Sequence, residues 1–416
     1  MKKKHIKIFD TTLRDGQQCP GAAMPFNENL EYAELAADFG VDVLEAGFPS
    51  SSAKEFNTVH AICKKYALRT WSPTVTSLCQ LREEQFADTV KSLQPLIEHK
   101  RARLHTYLPV DPELMKSSLG IKSLSEKHKY VSKVNKFVKK ACDKGLEVQF
   151  SPEGYSRMGE HFNFTTDLIR AAIDGGARII NCPDTIGGAC RRQGRHFFVE
   201  LMRQHAEIIS KEFPDTPITW SVHCHNDFGL ALDNTMAAIY EGPATQVEGC
   251  FNGIGERAGN AAIEQICMYL KHFSQQDGSS GEYFTKIDFS MIQKISDFVA
   301  EHMLKRQPHW PISGLNAARH TSGGHTNAVL KNPLVYQPFD PKETGNQIHL
   351  LFGPSSGGNH AKAIIEKFGF TCDHQEKSSI AQFIKNYFQD RYKGITDEEL
   401  ISAFHLYKNN SSKYGT

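Results

Sequence analysis

The chain has 416 residues, of which 40% are hydrophobic and 23% charged, so it can bury an ordinary core and is not expected to be disordered. Lysine and arginine total 48 against 47 aspartates and glutamates, a formal net charge of +1 that removes any global pull toward nucleic acid or membrane and still permits a local basic patch. The ten cysteines form no CxxC pair, no apolar core follows the basic start MKKKHIKIFD, and no run approaches 18 apolar residues; these features predict a reduced, cytoplasmic protein.

In chain order, short β-rich runs alternate with helical patterns. The predicted strands are HIKIFD from His5, VDVLEAGF from Val41, RTWSPTV from Arg69 and RARLHTYL from Arg101. LEVQFSP from Leu146, ARIINCP from Ala177, PITWSVHCH from Pro217 and TQVEGCF from Thr245 bring the number to eight. Between them, Val131, Val134, Val138 and Ala141, and again Ile263, Ile266, Cys267 and Leu270, carry the spacing of helices with one apolar face. Eight strand–helix alternations predict a closed (β/α)8 barrel, an α/β fold whose chemistry sits at the C-terminal ends of the strands. The polar stretch SQQDGSSGEYF, Ser274 to Phe284, reads as an exit loop. Residues 1–275 are therefore expected to form the barrel and 276–416 a mainly helical C-terminal region. There Ile380, Phe383, Ile384, Tyr387 and Phe388 share one helix, and Thr396 with Glu399 forms a capping box for the last one.

Three constellations carry chemistry. HCH ends strand seven, where His223 and His225, two apart, point to one face and can share a metal ion. DTTLRDGQQ follows strand one, which closes against strand eight, so Asp15 can converge on the histidines. In the same loop Arg14 is suited to polarising a carbonyl or gripping a carboxylate, or to a plain ion pair with Asp15. FNGIGERAGN, between strand eight and its helix, offers Asn252 as an oxygen donor and a tight glycine loop opening a helix. The match of Gly253, Gly255 and Ala258 to a dinucleotide fingerprint is discounted, because it follows the last strand of a barrel rather than the first of an open sheet. Glu45, His105, Ser151, Glu153 and the pair Asp184–Thr185 complete a polar ring at the strand ends.

FDTTLRDGQQCPGAAM, VDVLEAGFPSSS, VHCHNDFGLALDNTMAA and VEGCFNGIGERAGN resemble the 2-isopropylmalate synthase / homocitrate synthase group of metal-dependent barrel enzymes. TSGGHTNAVLKNP, Thr321 to Pro333, is similar to that group's subdomain motif, so the resemblance runs over about residues 5 to 370. It implies one divalent metal (Mg, Mn or Zn) held by Asp15, His223 and His225, with Asn252 at or near the shell, and a 2-oxo acid chelating that metal. Arg14 would stabilise the developing alkoxide; His105, Ser151 and Thr185 would line the oxo-acid pocket. Glu153 and Glu256 match acidic positions near the reaction, and Gly253, Gly255 and Asn260 fall to the co-substrate acetyl-CoA. His325 matches a histidine that reaches a partner subunit's site, which implies a homodimer with exchanged subdomains and a role in proton transfer from the acetyl methyl.

The chain departs from the group in places. Asn327 stands where an aspartate is usual, Gly324 replaces an apolar residue, FGPSSGG (Phe352 to Gly358) replaces a run with a histidine and an arginine, and PTVTS lacks an arginine on strand three. The group's leucine-sensing domain is not expected in 416 residues. GFPSSS, together with the lack of a strand-three cation for a second carboxylate, points to 2-oxoisovalerate as the oxo acid. Homocitrate, citramalate and specialised alkylmalate synthases stay open. So do two readings of other classes: an acyl-CoA lyase, disfavoured by the absence of Cys-Pro in the glycine loop, and an inactive ligand-binding paralogue.

Overall fold

The computed structural model describes residues 3–120, 126–274, 283–391 and 395–413, without the side chains of 411–413. Most of the expected exit loop lies outside the described residues. The chain divides into two compact units, Met1–Arg306 and Gln307–Thr416.

In the first unit eight parallel strands close into a barrel in sequence order. They are β1 (Lys7–Asp10), β2 (Val43–Glu45), β3 (Thr74–Leu78), β4 (Ala102–Pro109), β5 (Glu147–Glu153), β6 (Ile179–Asp184), β7 (Thr219–Cys224) and β8 (Ala244–Gly249). The register of β1 on β8 runs from Lys7↔Gln246 to Asp10↔Gly249 and closes the ring. All eight expected strands are present; the third is displaced. Pro73 has no backbone N–H, so the ladder starts after it, with Thr74 N donating to the Asp42 carbonyl at 3.0 Å. Trp71 is left exposed and Arg69 pairs with Glu34 and Asp38 on the surface.

The outer ring is α1 (Phe26–Phe39), α2 (Ala53–Ala67), α3 (Glu83–Ile97), α4 (Lys127–Asp143), α5 (Phe162–Gly175), α6 (Phe198–Glu212), α7 (Ala231–Tyr240) and α8 (Ile263–Phe273). Their apolar stripes face the sheet: Val134, Val138 and Ala141 of α4 and Ile263, Ile266, Cys267 and Leu270 of α8 are buried. Each fully buried Val, Ile or Leu among them contributes about 1.5–3 kcal/mol. A further helix, α9 (Ile292–His302), belongs to the same unit. Phe298 lies 6.2 Å from Tyr32 of α1, and the Ser296 carbonyl accepts from Asn252. These contacts carry the first unit to Arg306, past the expected division at 275.

In the second unit α10 (Gly323–Val329) is followed by α11 (Gly358–Lys367), α12 (Lys377–Tyr387) and α13 (Asp397–Lys413). Phe352, Ile364, Ile365, Ile380, Ile384, Leu400 and Phe404 make its core. Thr396 N donates to Glu399 at 2.8 Å and Glu399 N to the Thr396 hydroxyl at 3.2 Å, the reciprocal capping box the sequence predicts. No helix among the described residues is long and apolar enough to cross a membrane.

Candidate active site

The interior of the barrel is polar. Parallel pairing sets His223 beside Glu248 and Ser221 beside Gln246 on β7 and β8, and Tyr107 beside Ser151 on β4 and β5. Side chains of one parity point inward, so both members of each pair project into the barrel. The upper layer floors an open cavity of about 280 Å³ at the C-terminal mouth, lined by Arg14, Asp15, His105, Ser151, His223 and His225, among others.

Asp15 leaves β1 in the turn before a short helix at Gly16–Gln18, and is buried with the two histidines. The Nε2 atoms of His223 and His225 stand 3.3 Å apart, and His223 Nε2 is 4.0 Å from Asp15 Oδ2. One ligand atom from each of the three lies within 4.8 Å of the others, the arrangement a divalent ion needs. His225 Nδ1 donates to the Gly259 carbonyl at 3.3 Å, which leaves Nε2 with its lone pair facing the cluster. Asn260 donates from Nδ2 to Asp15 Oδ1 at 2.6 Å, while its own carbonyl oxygen is buried with no hydrogen-bond partner. Gly255 makes this approach possible: a Cβ there would stand 2.1 Å from Asn260 Nδ2 and 2.6 Å from Asp15 Oδ1.

Arg14 ties this cluster to a second one. Its Nη1 donates to Asp15 Oδ2 at 2.6 Å and its Nε to Glu45 Oε2 at 2.7 Å. Glu45 also accepts from the Thr11 hydroxyl at 2.6 Å and from His105 Nδ1 at 2.6 Å. His105 Nε2 then faces the Ser151 hydroxyl at 2.7 Å, and Asn181 donates to the same oxygen at 3.0 Å. Burial opposes ionisation of Asp15, but Arg14, His223 and His225 together overcome it and hold the carboxyl well below its usual range. Glu45 shows the same contest, with Arg14 and His105 pulling it down to about 2 against burial. Burial and the neighbouring His223 lower His225 to about 4; burial likewise opposes protonation of His223, but the facing Glu248 and Asp15 outweigh it and raise that ring. Burial, with Asp111 nearby, pushes the Glu153 carboxyl up.

Arg14, Asp15, His105, Ser151, Glu153, Thr185, His223, His225 and Glu256 therefore share one cavity. Four expected residues are placed differently. Asn252, expected at the metal, turns away: its amide donates to the Ser296 carbonyl at 2.8 Å and its oxygen accepts from the Ser296 hydroxyl. Its positive φ of 56° redirects the chain in the glycine loop, so the side chain leaves the cavity. Asn260, expected among the CoA-handling residues, occupies the place beside Asp15, and Gly255 packs against that pair. His325 belongs to the second unit, where its ring stacks on Tyr336 at 3.8 Å; Asn327 accepts from Asn359 at 2.7 Å. Asp10 serves structure, accepting from Thr12 N and from the Tyr32 hydroxyl, and burial raises its pKa to about 6. Sequence reasoning missed Tyr107, Asn181 and Glu248 in the cavity wall. Their signal was parity: each sits an even number of residues from a recognised inward residue on its strand or its partner.

Fold and site together define a (β/α)8 enzyme with a candidate metal centre at the C-terminal mouth of its barrel. The HMGL-like family model matches residues 5–299, and the model described as homocitrate synthase post-HMGL domain-like matches 312–392. The 2-isopropylmalate synthase of Saccharolobus solfataricus is 36% identical over 389 residues, covering 92% of this chain and 92% of that protein. The enzymes of that name from Staphylococcus saprophyticus and Nitrosomonas europaea are 34% and 36% identical, covering 95% and 96% of this chain and 73% and 74% of theirs. The chain belongs to the 2-isopropylmalate synthase family of acyltransferases. Among solved structures, the HMG-CoA lyase of Bacillus subtilis superposes with a TM-score of 0.56 at 17% identity, over 74% of this chain and 96% of that one. The HMG-CoA lyase of Brucella melitensis gives 0.55 at 14%, over 72% and 98%. At these identities the likeness is one of fold.

Proposed function

We propose that the protein joins acetyl-CoA to 2-oxoisovalerate and, with one water, releases 2-isopropylmalate and CoA. The observation that carries this reading is Arg14 held beside the Asp15–His223–His225 cluster in one cavity. Two imidazoles and a carboxylate suit a borderline or hard divalent ion such as Zn, Mn or Mg. The unpartnered oxygen of Asn260 fits a fourth ligand, in place of Asn252. When bound, the ion supplies Lewis acidity toward the ketone and carboxylate oxygens of the oxo acid.

Arg14 has Nε and Nη1 committed to Glu45 and Asp15, so its outer edge is fixed toward the cavity. That edge meets the ketone oxygen as it gains charge, when the acetyl methyl carbon, having lost a proton to a base, bonds to the ketone carbon. The alkoxide takes up a proton to become the tertiary hydroxyl, and water then cleaves the thioester to a carboxylate and the CoA thiol. His105, locked between Glu45 and Ser151, and Thr185 orient the oxo acid. Glu153, its carboxyl pK raised by burial, and Glu256 are two of the carboxyl groups that the barrel itself supplies to this cavity for acid–base work. We assign the methyl proton to His325 of a partner copy in a homodimer, the ring being held by Tyr336. Ten free cysteines support a cytoplasmic location.

Free thiol released from acetyl-CoA across 2-oxoisovalerate, pyruvate, 2-oxoglutarate and larger oxo acids tests the substrate assignment. Fastest metal-dependent release with 2-oxoisovalerate is expected. A preference for 2-oxoglutarate or pyruvate would transfer the protein to homocitrate or citramalate synthesis.

A further inference from the structure

Beneath the metal cluster a chain of hydrogen bonds runs through the barrel, and its direction is dictated from one end. Arg103 is 2% exposed and can only donate. Its Nη1 donates to Gln149 Oε1 at 3.1 Å and to Gln246 Oε1 at 2.9 Å, and its Nε to Glu147 at 2.7 Å. Gln149 must therefore show oxygen to Arg103 and nitrogen to the next layer, where Nε2 donates to Glu248 Oε1 at 2.6 Å. Gln246 Nε2 donates to Gln149 Oε1 at 3.0 Å and to the Ser221 oxygen at 2.9 Å, and the Ser221 hydroxyl donates to the same Glu248 Oε1 at 3.2 Å. One oxygen of Glu248 is thus fully used. The other, Oε2, is buried without a hydrogen-bond partner, and so is His223 Nδ1. These two atoms face each other at 3.4 Å, across the strand register that pairs His223 with Glu248.

We propose that Glu248 is a positioning residue of the metal site: it holds the proton of His223 on Nδ1, so that Nε2 presents its lone pair to the ion. A buried carboxylate oxygen without a partner is costly, and His223 Nδ1 faces it as a donor. The arrangement matches the Gly259 carbonyl on His225 Nδ1, so both metal-facing imidazoles are set by an acceptor on the far nitrogen. The Arg103 chain makes the setting one-way. In Glu248→Gln the amide oxygen stays under the two donors, Gln149 Nε2 and the Ser221 hydroxyl, and the amide nitrogen is turned to His223. Nδ1 must then accept, the ring proton moves to Nε2, and the ligand lone pair is lost.

The inference rests on the metal-site reading, and the test separates the two. Mn²⁺ affinity of the metal-free protein is measured for wild type, Glu248→Gln and His223→Ala, and the tautomer of His223 is read by two-bond ¹H–¹⁵N correlation in ¹⁵N-histidine-labelled, metal-free protein at alkaline pH. Glu248→Gln is expected to bind Mn²⁺ about 10–100-fold more weakly, with its His223 proton on Nε2, while wild type carries it on Nδ1. Wild-type Mn²⁺ affinity in Glu248→Gln, with affinity lost in His223→Ala, overturns the role of Glu248 and leaves the metal site standing. Undiminished affinity in His223→Ala overturns both. If Glu248→Gln does not fold, the wild-type tautomer decides: a proton on Nε2 refutes the proposal.

Discussion

Arg14 is bound on two sides, and what each contact does can be measured separately. Arg14→Ala removes the group facing the developing alkoxide and should lower kcat by roughly 10²–10³-fold, with a smaller change in KM for the oxo acid. A rise in KM at unchanged kcat would mean that Arg14 binds the ground state only. Glu45, on the other side of Arg14, is a stability element. Its folded pKa of about 2 lies below the ordinary 4.5, so its contribution is complete above pH 4.5 and is lost as pH falls from there toward 2. Glu45→Gln should remove that part of the acid limb and cost about 3–5 kcal/mol at neutral pH, because Arg14 is left buried with one carboxylate partner fewer. Urea melts of wild type and variant from pH 7 down to 3 check both statements. At this scale the sequence was legible where spacing alone sufficed: HxH on a strand gave the two histidines, and the DTTLRD loop gave Arg14 and Asp15. It misled where a loop's φ angles decide. Asn252 and Asn260 both lie in FNGIGERAGN, and only the positive φ at Asn252 tells which amide faces the metal cluster.

At the scale of elements, the glycine loop after β8 positions the site by allowing contact. Gly255→Ala drives a methyl against the Asp15–Asn260 hydrogen bond. It should abolish metal binding while costing the fold about 1–3 kcal/mol, the usual penalty of overpacking. Metal content after dialysis, set beside the melting curve, separates the two effects; full metal retention would show that the loop yields without moving Asp15. The eight strands were readable because each is bounded by turn residues and followed by a helical stripe, and β3 slipped only because a proline inside the predicted run forbids a ladder bond. The polar interior was harder to read. Gln149, Gln246 and Glu248 sit on strands whose outward faces are apolar, and single polar residues in such runs do not declare that they meet one another across the barrel.

At the scale of the molecule, the proposed homodimer would build each site from two copies, with the metal ligands and Arg14 from one barrel and His325 from its partner. Co-expressing His223→Ala with His325→Ala tests this. Each variant alone is expected to be inactive, whereas a mixed dimer would hold one complete site, so the mixture should recover about a quarter of the wild-type rate per subunit, the share expected from random pairing. A mixture as inactive as its parents would place His325 in its own barrel's site, and an active His325→Ala parent would place it outside the mechanism. The family relation covers both units, while the solved lyases share the barrel fold, so it is the site and not the fold that sets which way a carbon–carbon bond is processed.

The direct measurement is therefore of the bond itself. Acetyl-CoA labelled with ¹³C at the methyl carbon is incubated with 2-oxoisovalerate and Mn²⁺, with and without EDTA, and the acid products are read by NMR. The expected product is 2-isopropylmalate with the label in its methylene carbon, formed only in the absence of EDTA. Label remaining in acetyl-CoA or appearing as free acetate, or product formed equally with EDTA present, would contradict it.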